Sequence, residues 1–70
     1  MKPATYAITV RGHLGDALAG EFDGLAARHC DEHTVLSGEL ADQPALFGVL
    51  DRIASLGLEL IDVRRVTTAG

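Results

Sequence analysis

His29-Cys30-Asp31-Glu32-His33 gathers five potential metal ligands or proton-transfer groups into one short stretch. Imidazole nitrogens and a thiolate suit zinc, and a cysteine beside a histidine can serve as an activated nucleophile. Geometry restricts both. On a helix His29 and His33 would share a face, but at the tip of a hairpin Cys30 sits opposite His33 and His29 turns to the other face. At most two soft ligands then converge, where a structural zinc site takes about four. No third group is at hand to orient a histidine base, and a hairpin tip is open to water. The segment reads as a solvated polar turn, with no metal, no cofactor and no catalytic residue assigned.

Arg11-Gly12-His13-Leu14-Gly15-Asp16 is the second stretch with chemical potential, because its glycines could let backbone N–H groups approach a ligand at a helix start. It matches neither the dinucleotide fingerprint nor the phosphate loop. Asp16 is expected to satisfy the free N–H groups itself and to repel a phosphate. A plain turn is the reading.

The elements that position these groups follow from periodicity. Tyr6 to Arg11 alternates at period two and reads as a strand ended by Gly12. Leu14 to Phe22 spaces Leu14, Leu18 and Phe22 for a helix, which Gly15, Gly20 and Gly24 weaken to a short one. Leu25 to Cys30 and His33 to Leu40 are extended runs joined by Asp31-Glu32, a hairpin spacing. Ala41 to Gly57 carries a complete helix: Asp42 as N-cap, Pro44 in the first turn, an apolar face of Leu46, Val49, Leu50, Ile53 and Leu56, and Gly57 as the stop. Glu59 to Val66 alternates again as a last strand, and 67–70 reads as a loose tail of a single domain, 1–70. The expected fold is therefore α+β: a ferredoxin-like βαββαβ sandwich, its four-stranded antiparallel sheet carrying one full helix and one stunted helix on one face.

Ile8, Val10, Leu25, Ala27, Leu36, Leu40, Ile61 and Val63 are expected to face the helices. Alternation then sends Ala7, Thr9, Arg11, Ala26, Arg28, Cys30, His33, Val35, Ser37, Glu39, Leu60, Asp62 and Arg64 to the open face. Arg11, Arg28, Glu39, Asp62 and Arg64 are the candidate ligand-binding or interface residues. Three arginines against two acids make this the most basic part of an acidic chain of net charge −4, fit for a small anionic ligand or an acidic partner. The plainer alternative is pairing across strands, Arg11 with Glu39 and Asp62 with Arg64 or Arg28. Small apolar residues between the charges favour a sheet-to-sheet dimer.

Composition narrows the function. The acidic balance argues against a nucleic-acid binder, as does an open face without aromatics for base stacking. No apolar run is near the length of a membrane span, the N-terminus lacks the apolar core of a secretory signal, and a lone cysteine suits a reducing compartment. A cytoplasmic location is expected. A core built almost without aromatics in 70 residues is thin, and self-association is the usual remedy. The leading reading is a small non-catalytic cytoplasmic binding or interaction module that self-associates as a homodimer, or binds a partner protein, through its sheet. The alternative is a small dimeric α+β barrel enzyme or cyclase-like protein with a pocket over the sheet, in which His33, Arg11 or Arg28 acts as acid or base.

Val10-Arg11-Gly12-His13-Leu14-Gly15, Phe22-Asp23-Gly24-Leu25, Ser37-Gly38, Ala41-Asp42-Gln43-Pro44-Ala45-Leu46 and Leu56-Gly57-Leu58 resemble a set of short actinobacterial proteins without an assigned activity. The resemblance covers nearly the whole chain and implies a shared fold; its motifs are turns, caps and core positions, so no catalytic residue comes with it. The order of elements also resembles regulatory ligand-binding modules of the ACT type. That likeness implies an amino acid held at a dimer interface against the glycine turn after the first strand, Gly12 to Gly15.

Overall fold

Asp42 starts the longest helix by accepting a hydrogen bond on Oδ1 from the N–H of Ala45, 2.9 Å away. In this computed structural model, which describes residues 3–22 and 24–66, that helix, α2, runs Gln43–Ser55 with Pro44 in its first turn. Its end is a Schellman motif: Gly57 takes φ +75°, its N–H bonds the Ala54 carbonyl, and the Leu58 N–H bonds the Ile53 carbonyl. Leu46 and Ile53 are buried, with Val49 and Leu50 packed beside them. Leu56, expected on the same face, is 38% exposed, and Leu58 beyond the stop packs against the core instead.

The strands are β1 Ala4–Arg11, β2 Ala26–Cys30, β3 His33–Leu40 and β4 Leu60–Val66, in the order β2-β3-β1-β4 with every neighbouring pair antiparallel. Asp31, at φ +50°, accepts the left-handed conformation that lets two residues join β2 to β3. Ile8, Val10 and Leu36 are fully buried on one face, closing a core with Leu14, Phe22, Leu46 and Ile53.

The ferredoxin-like sandwich does not form. Where two helices were expected to cover the sheet, among the described residues only α2 does; between β1 and β2 these make a single turn, α1, Asp16–Ala19, and are otherwise loop. Gly15, Gly20 and Gly24 remove the helix propensity that Leu14, Leu18 and Phe22 would need. Those residues still reach the core, Leu14 and Phe22 each only 3% exposed, so the segment seals the sheet as a loop. Glu21 in this loop pairs with Arg52 of α2 at 2.7 Å. The fold is α+β, four antiparallel strands under one helix. The expected Asp16 cap lies outside the described side chains.

A second correction concerns β4. Thr9 sits opposite Asp62 but Val10 sits opposite Leu60, so Ile61 is an extra residue, a bulge. Leu60, expected on the open face, therefore lies on the helix side, and Ile61, expected in the core, has no partner in β1 and is 51% exposed.

Candidate functional site

The helix-free face of the sheet is set by the strand register. Cys30, His33 and Arg11 form one row across β2, β3 and β1. The next rows are Arg28, Val35, Thr9 and Asp62, then Ala26, Ser37, Ala7 and Arg64, then Glu39, Thr5 and Val66. Thr5, Ala7, Thr9, Val35 and Ser37 in the middle are only partly buried, and none of them belongs to the core.

The five candidate residues frame this face rather than converge on it. Arg28 and Asp62 occupy opposite edge strands, roughly 14 Å apart at ordinary strand spacing. Glu39 lies opposite Thr5 and Arg11 opposite His33, so the two sit at opposite ends of the β1–β3 pair, and the expected Arg11–Glu39 pairing is not made. Arg11 instead reaches Glu59, just before β4, at 3.4 Å, and its backbone N–H bonds the Glu59 carbonyl. Asp62 and Arg64 do pair, along β4, at 2.9 Å. All of these side chains are well exposed, where such pairs contribute a few tenths of a kcal/mol up to about 1. Among the described residues Arg28 has no ion-pair partner.

Cys30 faces His33 across the hairpin, and His29 sits opposite buried Thr34 on the other side of the sheet. There His29 stacks on His13, ring centroids 4.9 Å apart, and the His13 Nε2–H donates to the Asp31 carbonyl oxygen. Among the described residues no group of three or more His, Cys, Asp and Glu side chains is placed to hold a metal ion.

The turn after β1 is used internally. The Gly12 N–H bonds the Glu32 carbonyl at 2.7 Å. Thr34, fully buried, donates its hydroxyl to the Gly12 carbonyl at 2.8 Å and accepts from the Leu14 N–H at 3.3 Å. Two amide groups of this turn, those of Gly12 and Leu14, are thus spent on the hairpin, and the ACT-type likeness falls with the ferredoxin-like fold.

Three of these contacts escaped the sequence. Thr34 shares the alternation of Leu36 and Leu40, a signal that was there and that its hydroxyl masked. The His13–His29 stack and the Arg11–Glu59 pair join residues distant in the chain and have no local signature. A groove of about 310 Å³ follows the outer side of α2, lined by Gly48, Asp51, Arg52, Ser55 and Leu56, away from the sheet face.

These features define a small α+β domain with one sheet face free of helices and rimmed by charge. The chain belongs to the family described as a domain of unknown function (DUF8691), whose model matches residues 5–64, from β1 into β4. No curated protein and no solved structure is significantly similar to it. No helix among the described residues is long and apolar enough to cross a membrane.

Proposed function

We propose that the chain is a small non-catalytic binding module of the cytoplasm that self-associates through its sheet and presents the open face to a small anionic ligand or a partner protein. One observation carries this reading: α2 and the loop before β2 both pack on the Ile8–Val10–Leu36 side, and the other side, with Thr5, Ala7, Thr9, Val35 and Ser37 at its centre, contributes nothing to the core. A one-sided core in so short a chain gains most from a second copy. Arg28 is the cation for an anionic ligand, since Arg11 and Arg64 already face carboxylates. The likeness to short actinobacterial proteins without an assigned activity fits a module defined by its surface.

Amide shifts of the isotopically labelled chain, recorded from submillimolar to low micromolar concentration, test this. The reading expects concentration-dependent changes in β1 to β4 and constant shifts in α2. Changes confined to α2, around exposed Phe47 and Leu56, would overturn it.

A further inference from the structure

Among the described residues five large apolar side chains are strongly exposed, and three of them, Leu60 at 44%, Ile61 at 51% and Val66 at 41%, belong to β4. β4 is an edge strand whose outer side has no strand partner among the described residues. The opposite edge, β2, is shorter and exposes no large hydrophobic side chain. A seven-residue edge with apolar side chains and unpaired backbone groups is a template for another strand.

The charges on β4 say which strand. We infer that the outer edge of β4 pairs antiparallel with β4 of a second copy of this chain, about a two-fold axis at Val63. In that register Asp62 of each copy lies opposite Arg64 of the other, and Val63 opposite Val63. Because Asp62 already holds its own Arg64 at 2.9 Å, the axis gathers two acids and two guanidiniums in alternation. The neighbouring registers that keep the pleat in phase set Asp62 against Asp62 or Arg64 against Arg64, and like charges directly opposite are destabilising. A one-residue slip would bring the open face of one copy against the helix side of the other. The charge pattern therefore selects one alignment and one partner.

This deepens the reading that the chain self-associates through its sheet, and rests on it. An axis at right angles to the sheet leaves both open faces on one side and both α2 helices on the other. The assembly is an eight-stranded platform with the Asp62–Arg64 cluster at its centre and Arg28 toward each far edge. The bulge at Ile61 limits the regular ladder about this axis to Asp62, Val63 and Arg64 of each copy, a short seam that comes apart on dilution.

Charge exchange at β4, read by sedimentation velocity, tests the pairing. Asp62→Arg and Arg64→Asp should each weaken self-association by about tenfold or more. The double variant Asp62→Arg/Arg64→Asp, and an equimolar mixture of the two single variants, should recover it. Both residues also border the open face, so Val35→Lys, in the middle of that face, is the discriminating control and should dimerise like the parent chain. Backbone hydrogen exchange in the parent chain should slow in β4 as concentration rises, a readout that needs no variant to fold. Single variants that still dimerise like the parent, or Val35→Lys that does not dimerise, would overturn the edge pairing and leave self-association standing. A parent chain that is monomeric throughout would end both.

Discussion

Gly38 of β3 and Gly24 of the loop before β2 touch so closely that a Cβ on Gly38 would lie 2.5 Å from the Gly24 carbonyl oxygen. The same atom would meet Cδ2 of Leu25 at 2.8 Å. The loop that replaces a second helix thus lies directly on the sheet, at a position where only a missing side chain leaves room. Gly38→Ala is expected to cost about 1–3 kcal/mol, because one of the atoms in the way is backbone and cannot swing aside. Thermal unfolding at fixed protein concentration measures it, at roughly 4–8 °C per kcal/mol for a domain this small. An unchanged midpoint would contradict this packing.

Leu36 and Arg11 test which side of the sheet is which. Leu36 is fully buried, and Leu36→Ala should cost about 2–5 kcal/mol, enough to unfold much of a population with so small a core. Arg11 is 66% exposed in its pair with Glu59, and Arg11→Ala should stay within about 1 kcal/mol. Denaturant midpoints compare the two. The reverse ranking would mean that the register is displaced by one residue.

Thr34 holds the turn after β1 through two hydrogen bonds from a site with no solvent access. Thr34→Val keeps the shape and strands the Gly12 carbonyl and the Leu14 N–H, at a cost of about 1–3 kcal/mol. Thr34→Ser retains the hydroxyl and should keep that part of the stability. Exchange of the Leu14 amide is the local readout: it should quicken in the valine variant, and a rate equal to that of the parent chain would remove Thr34 from this role.

His29, Cys30 and His33 divide between the two faces of the hairpin, and His29 is engaged with His13. Elemental analysis of the chain purified without a histidine tag should therefore find far less than one zinc per chain. A stoichiometric metal, with Cys30 protected from thiol reagents when it is added, would contradict the solvated-turn reading.

Some of this architecture is plain in the residues because its signals are local. Asp42, Pro44 and Gly57 mark α2 through capping and a left-handed stop, and Asp31-Glu32 marks the hairpin by its length. Alternation along β1 and β3 places Ile8, Val10 and Leu36 in the core. The same alternation fails in β4, where the bulge at Ile61 exchanges the sides of Leu60 and Ile61, and no residue there announces an insertion. The spacing of Leu14, Leu18 and Phe22 promised a second helix over the sheet. The glycines decide otherwise, and the same apolar residues pack from a loop, which is why the two-helix sandwich was the wrong architecture. Arg11, Arg28, Glu39, Asp62 and Arg64 lie on the strands that alternation predicts for them. Their partners were less legible, because Arg11 meets Glu59 at the start of β4 rather than Glu39 on β3.

Sedimentation velocity of the parent chain across the micromolar range bears most directly on the central claim that the sheet is completed by a second copy. A species of twice the chain mass that dissociates on dilution is expected. A single monomeric species at every concentration would contradict it.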